Sequence, residues 1–428
     1  MQQIRIDEII RREVIPAMGC TEPAAAALAG AKAAELLGAV PTRAQVYASR
    51  NMIKNAMGVS IPNSSLHGIH AAVSLGLAMH DSSSGLALLN GVTDVERGIA
   101  AGIDMNVEIL DNVPSLYIKV IAFSGDHQAS AEIANEHDRF SSLEIDGKVL
   151  SSNPLFFPEC QSFSKEDVLL SAMDFDDIVN YARRLSPEMK ALFRNAMEMN
   201  MEISYAGVTE DWGLNAGRIM FKATGAPRTV DDAMRKGAAL AAAGSDARMS
   251  GSCRPVMINS GSGNQGITVT VPVTVLGRFL NADEDRIIEA IAISELTGLV
   301  LTSRKDRLSA LCGAFTAAIG TACAYVFLLG GGTKEMDAAV NNMVGNLSGI
   351  ICDGAKKTCA LKIYSSLVAS SLAVHLAMEG FKADSGSGIL GDDSLESITY
   401  LSRLTHEGMK ETDRTILDIM LEKDNRNA

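Results

Sequence analysis

Aromatic residues are scarce in this chain, at 5% of 428 residues with a single Trp. Packing must therefore rest on Ala, Leu, Ile, Val and the 20 Met. Charge is sparse as well, at 21% against 47% hydrophobic residues. These proportions exclude intrinsic disorder, which needs low hydrophobicity and high charge. At about 150 residues per domain the length implies roughly two to three domains. Positive charge is in short supply, with 38 Lys and Arg against 51 Asp and Glu, a net −13. Such a surface repels phosphate backbones, and no Lys/Arg stripe overrides it, so a nucleic-acid partner is not expected. The 37 glycines have no triplet period, which excludes a collagen-like chain.

Met1 to Pro16 carries Arg5, Asp7, Glu8, Arg11, Arg12 and Glu13 and has no uninterrupted apolar core, so it does not read as a secretory signal. Seven cysteines in a long chain do not suggest a disulfide framework. A reducing cytoplasm is expected, where thiols are free for metal or chemistry. Ser309 to Thr333 has no charge and is long enough to span a bilayer. It holds Cys312, Gly313, Thr316, Gly320, Thr321 and Cys323 and lacks an aromatic belt, so a buried helix is expected instead of a membrane span.

Two patterns divide the chain. Thr21-Glu22-Pro23 ahead of Ala24–Leu37 is a helix start, with a hydroxyl, an acid and a proline in the first turn. From about Pro41 strands are expected at Ala44–Met52, Val107–Leu110, Leu116–Phe123, Ala129–Ala134 and Phe140–Ile145, with turns at Ser124-Gly125-Asp126 and Asp146-Gly147. After Phe156-Phe157-Pro158 the chain is helical almost to its end, including Leu311–Leu329, Ala360–Met378 and Ile389–Met409. Ile267–Val275 reads as a strand by propensity or as a buried helix. The expected class is α+β: a large, mainly helical domain (1–39 and 156–428) with a smaller α+β domain (40–155) containing an antiparallel sheet.

Cys352 and Cys359 form a C-x6-C loop before an apolar helix, with Cys312 upstream. Three converging thiolates could hold an iron–sulfur cluster that leaves one iron without a thiolate, and Lys356 and Lys357 would offset the charge. The spacing does not match zinc sites, and on spacing alone small apolar cysteines filling a core, as expected for Cys323 and Cys160, is the favoured reading. Cys20 stands before the Thr21 helix, where the macrodipole is expected to lower its pKa and make it base, nucleophile or ligand; core filling is the equal alternative. Asn259-Ser260-Gly261-Ser262-Gly263-Asn264-Gln265-Gly266 is neither a Walker loop nor a dinucleotide fingerprint. Its backbone N–H groups and side chains suit an anion such as a carboxylate, with Arg248 and Arg254 upstream; a turn-rich connector is the alternative. His67, His70, His127 and His137 read as surface or structural, and Met197, Met199 and Met201 as helix packing.

Met18–Pro23, Lys54-Asn55-Ala56-Met57-Gly58, Ser260–Gly266, Leu311-Cys312-Gly313 and Cys352–Lys362 together resemble the L-cysteine desulfidase family and its bacterial relatives, over nearly the whole chain. That family is itself similar to iron–sulfur L-serine dehydratases. The resemblance implies a 4Fe-4S cluster, labile in air, on Cys312, Cys352 and Cys359, and Cys20 as base or displaceable fourth ligand. It implies a substrate site at Ser260, Ser262, Asn264, Gln265 and Lys54. The activity implied is β-elimination of L-cysteine to hydrogen sulfide, pyruvate and ammonia without pyridoxal phosphate. L-Serine dehydration is the runner-up, and a non-catalytic amino-acid or redox sensor and a membrane carrier are the other classes. The partners expected are a small amino acid and, left open, a second copy of the chain as a homodimer.

Overall fold

A computed structural model describes residues 2–61, 64, 66–153, 169–304 and 309–427. The five expected strands, with a sixth that was not expected (β7), form one sheet: β2 (Arg43–Ser49), β3 (Asp104–Leu110), β4 (Tyr117–Ser124), β5 (His127–Ala134), β6 (Phe140–Ile145) and β7 (Lys148–Ser152). The order is β3-β2-β4-β5-β6-β7. The run β2-β4-β5-β6-β7 is antiparallel, as alternation and short turns require, whereas β2 and β3 pair in parallel because helices intervene. The sheet is thus mixed, not purely antiparallel. At the β6–β7 hairpin, Asp146 (φ 48°) and Gly147 (φ 77°) are both left-handed, as a tight hairpin turn demands.

Local chemistry moved several boundaries. The strand expected to reach Met52 stops at Ser49, whose hydroxyl accepts from the Met52 N–H and starts the helix Arg50–Met57. Ile267–Val275 lies inside the helix Gly263–Phe279, so the strand alternative is corrected. Burial in a helical layer outweighs β-propensity here. Thr268, Thr270 and Thr274 return their hydroxyls to the carbonyls of Asn264, Gly266 and Thr270 at 2.7–2.9 Å, so the interior meets no unpaired hydroxyl at these positions. The single helix expected at Ile389–Met409 is a helix Ser394–Arg403, a π turn Leu404–Gly408 and a further helix Lys410–Asn427. The helix Ala216–Thr224 was not foreseen.

Two large buried clusters organise the described residues. One gathers the first helix, Gln2–Glu13, with helices between Phe175 and Arg403, whereas Leu417 of the last helix, Lys410–Asn427, belongs to the other. The centre of the first cluster is Gly313–Leu328, buried from Ala314 to Phe327, as expected for an all-apolar helix in a helical layer. The Met197 and Met201 side chains are buried within the same cluster and Met199 packs on it. The other cluster sets Thr21–Leu37 and Gly68–Met79 on the sheet. Their axes come close because the facing residues are small: a Cβ on Gly76 would collide with the Ala27 carbonyl. Thr21–Leu37 therefore packs with the sheet instead of with the helical part where the sequence grouped it. The segment at Phe156-Phe157-Pro158, and with it Cys160, lies outside the described residues.

By length and composition one described helix, Cys359–Met378, could cross a membrane, and half of its apolar stretch is buried in the protein. A two-residue ladder, β1 (Pro16–Ala17) with β8 (Val256–Met257), ties the N-terminal strand to the loop preceding Gly263. This ladder brings Cys20 beside the Ser/Gly/Asn loop.

Candidate functional site

Five segments distant in sequence converge between the two clusters. Thr21, at the start of its helix, donates its hydroxyl to the Gly261 carbonyl at 2.8 Å. Asn55 donates its amide to Glu22 Oε1 at 3.0 Å. A Cβ on Gly58 would lie 3.2 Å from the Ala355 carbonyl, and one on Gly354 would collide with the Lys54 carbonyl, so Arg50–Met57 and the cysteine loop touch backbone to backbone. Gln265 lies across Gly313, where an added Cβ would meet its amide at 3.0 Å. Cys20, Val59 and Met249 form a small buried cluster on which Ala355 and Cys359 pack.

Cys312 caps the Gly313–Leu328 helix, and Cys359 opens the Cys359–Met378 helix. A short bridge between Leu311 and Ile351 aligns the two segments, with the Cys312 N–H on the Ile350 carbonyl at 3.0 Å and the Cys352 N–H on the Ala310 carbonyl at 2.6 Å. The thiols act on one another. Burial, then the nearby Cys352 and Cys359, push Cys312 up to about 12. Burial likewise raises Cys359, opposed by the Lys356 N–H that points to its sulfur at 3.4 Å. Burial alone would lower the Lys362 ammonium; Asp353, with Cys312 and Cys352 behind it, holds it above its ordinary value. Lys362 pairs with Asp353 and donates to the Ile351 carbonyl at 2.8 Å.

Among the described residues no group of three His, Cys, Asp or Glu side chains is gathered closely enough to hold one metal ion. Ligands of a single tetrahedral ion lie roughly 4 Å apart, given metal–sulfur bonds near 2.3 Å. Thiolates bound to different irons of a cluster stand farther apart. Cys352 and Cys359 near enough for their charges to reach Cys312, with the Lys362 ammonium beside them, fit the donor chemistry of an iron–sulfur cluster and not of a single ion. Cys323, also expected in the core, is fully buried within its helix, where burial pushes its thiol up to about 12.

The expectation of a low-pKa Cys20 is corrected. The residue precedes the helix in an extended conformation and its side chain makes no capping bond. Its Sγ donates to Glu22 Oε2 at 2.9 Å instead. Burial and the Glu22 charge raise the thiol well above its ordinary value, against the opposing charge of Arg248. Burial would raise Glu22 too, but His137, the Cys20 thiol and Arg248 hold that carboxyl below its usual range. His137 is itself buried, with Nε2 4.0 Å from Glu22 Oε1, so it is not a surface residue.

The Ser/Gly/Asn loop is built as an N-terminal nest. Ser260 (φ 51°) and Gly261 (φ 79°) are left-handed, and Ser262 caps Gly263–Phe279 by accepting the Gln265 N–H at 3.4 Å. Asn264 Oδ1, Gln265 Oε1 and Arg248 Nε are buried and have no hydrogen-bond partner among the described residues. Arg248 lies against Gly263, where a Cβ would meet Nε at 2.5 Å, whereas Arg254 leaves the loop to pair with Glu210 at 2.8 Å. Lys54, 1% exposed, pairs with Asp413 of the Lys410–Asn427 helix, so its ammonium is already committed. Sequence reading missed Glu22 as a site residue, since an acid in a first turn looks like a cap, and missed Asn55 and Glu295.

The profile of the family described as "Serine dehydratase alpha chain" matches residues 128–418. A "UPF0597 protein" of Oleidesulfovibrio alaskensis is 38% identical over 424 residues, covering 98% of both chains. Proteins of the same name from Parabacteroides distasonis and Aeromonas hydrophila are each 36% identical, covering 98% of this chain and 98% and 96% of their own. The chain belongs to the serine dehydratase alpha-chain family, whose members are lyase-type enzymes.

Proposed function

We propose that the chain is an iron–sulfur-dependent lyase that eliminates the β-substituent of L-cysteine, giving hydrogen sulfide, pyruvate and ammonia. The observation that carries this reading is that the Leu311–Ile351 bridge sets Cys312 beside Cys352, Cys359 packs on the Cys20 cluster, and Gln265 of the Ser260–Gly266 nest lies across Gly313. The three cysteines would hold the cluster, which when bound supplies a Lewis-acidic iron to the departing sulfur. The nest N–H groups with Ser260, Ser262 and Asn264 hold the α-carboxylate, and Gln265 joins this pocket to the Cys312 end. Cys20 and Glu22 act as one base: as Cys20 takes the α-proton of the substrate its own proton passes to Glu22 in the same step, so no free thiolate accumulates beside that carboxylate. Loss of sulfide leaves aminoacrylate, which tautomerises and hydrolyses to pyruvate and ammonia. Lys54 supports this pocket through its backbone contact with Gly354.

L-Serine, losing hydroxide, is the second reading, and the family description favours it. On either reading the chain acts on a small amino acid in the cytoplasm, with no nucleic-acid or membrane partner. The deciding experiment is iron and acid-labile sulfide per chain after anaerobic purification, with sulfide release from L-cysteine and pyruvate formation from L-serine on the same sample. Near-stoichiometric cluster with turnover supports the lyase, and the faster substrate identifies the leaving group. Absence of iron after anaerobic reconstitution removes the reading and leaves a binding or sensing protein.

A further inference from the structure

Glu295 is the carboxyl on the helix Glu284–Ser303 that faces the nest, and it is 0% exposed. Asn259 Nδ2 donates to Glu295 Oε2 at 2.6 Å and to the Glu295 carbonyl at 3.0 Å. Asn259 Oδ1 accepts from the Ser260 hydroxyl at 2.9 Å, and Asn259 and Ser262 exchange backbone hydrogen bonds at 3.2 and 2.9 Å. Gly298, one turn beyond Glu295, leaves room for this amide, since a Cβ there would meet Asn259 Oδ1 at 3.3 Å. A continuous chain of hydrogen bonds therefore runs from Glu295 through Asn259 into Ser260 and Ser262.

We propose that Glu295 is a positioning residue that, in its neutral form, clamps Asn259 and through it holds the Ser260–Gly266 nest in its anion-binding shape. This rests on the proposed function only for the identity of the anion, the α-carboxylate. Glu295 Oε1 is buried and has no partner among the described residues, so the Asn259 amide on Oε2 is all that the described residues offer an ionised carboxylate. Burial raises the carboxyl to about 8, the Asn259 amide being the one opposing influence; no charged or titratable group acts on it from the packed helices Phe175–Ala182, Pro187–Thr209, Gly263–Phe279 and Gly313–Leu328 among the described residues. Above that pH the buried charge, met by a single amide, draws water in at the partnerless Oε1 and loosens the packing around Asn259 and the turn it shares with Ser262.

The test is hydrogen–deuterium exchange of the 258–266 segment from pH 6 to 10, corrected for the intrinsic pH dependence of exchange, in the wild-type chain and in Glu295→Gln. Glutamine keeps the size and neutrality of the protonated acid. Exchange in the wild type should rise at least tenfold across pH 8 while Glu295→Gln stays protected. Equal profiles in the two proteins overturn the proposal. If Glu295→Gln does not fold, the wild-type profile decides alone: a flat corrected profile overturns it and a step near pH 8 supports it. Failure of the lyase reading is seen separately, as absent iron and turnover, and does not alter this readout.

Discussion

The Cys20 thiol, just ahead of the Thr21–Leu37 helix, donates to the carboxylate of Glu22 in its first turn at 2.9 Å. The bond reverses the inference drawn from position alone. A helix N-terminus lowers a thiol's pKa when its N–H groups or dipole face the sulfur in a polar setting. Here the sulfur is 5% exposed and faces an anion, so the neutral thiol is favoured. A base built this way works as a pair, and its strength is set by Glu22.

Glu22→Gln removes the anion and leaves the burial, which is the larger of the two causes. The Cys20 thiolate should then appear at lower pH than in the wild type, yet still above the usual thiol range because the burial remains. The measurement is the 240 nm absorbance titration, taken as the difference from Cys20→Ser. Turnover should fall by roughly 10²–10⁴, the usual loss on removing a proton acceptor. An unchanged thiolate titration would break the pairing.

Cys323 and Cys312 lie on one helix and should behave in opposite ways. Cys323 is enclosed by the core, with Thr297 as its polar neighbour, and Cys323→Ala deletes one sulfur from a packed interior. A stability loss of roughly 1–2 kcal/mol is expected, read from denaturant midpoints, with iron content unchanged. Cys312→Ser should instead lose iron with little change in the midpoint of the metal-free chain. Equal iron loss in both variants would show that the metal signal follows general stability and not the thiol set.

Much of the fold was legible because its signals are local. The hydroxyl, acid and proline at Thr21-Glu22-Pro23 start a helix, and Phe140–Ile145 ends at an Asp-Gly turn, where both observed boundaries fall. Pairings set by distant residues were not legible. Nothing near Val107 says that its strand joins β2 in parallel, and nothing in Ile267–Val275 says that a helical layer will enclose it. The site divided in the same way. The cysteines and the Gly-rich loop stand out by residue type and spacing, whereas Glu295, the buried partner of Asn259, lies on an unremarkable helix. Arg254 lies near the loop in sequence but turns to Glu210, because an exposed cation pairs with whichever carboxylate the fold presents.

Gly354 should be the least replaceable glycine in the cysteine loop. Its φ of +93° is a left-handed value that side chains adopt with strain, and a Cβ there would run into the Lys54 carbonyl. Gly354→Ala is expected to cost about 1–3 kcal/mol from backbone strain alone, and to push the Cys352–Cys359 loop off the Arg50–Met57 helix. Gly349→Ala is the control, since nothing lies within 4 Å of its Cβ. Iron per chain after anaerobic reconstitution should drop in the first variant and hold in the second. Equal iron in both would mean that the loop does not need its contact with Lys54 to present the thiols.

The buried Glu295 carboxyl also predicts how stability follows pH. Its folded value of about 8 stands above the ordinary 4.5, so the native state holds a proton that the unfolded chain has released. Stability therefore falls as pH rises from the ordinary carboxylate range towards 8, and this contribution levels off beyond it. The whole effect is on the order of 5 kcal/mol for a site that stays dry, and smaller once water enters. Glu295→Gln has no proton to lose and should lack this slope, so the variant should gain on the wild type as pH rises from the ordinary carboxylate range, the difference reaching its full size near pH 8. Denaturant unfolding of both proteins at pH 5, 7 and 9 measures the divergence. Parallel pH dependences would mean that the carboxyl is ionised throughout and compensated by hydration.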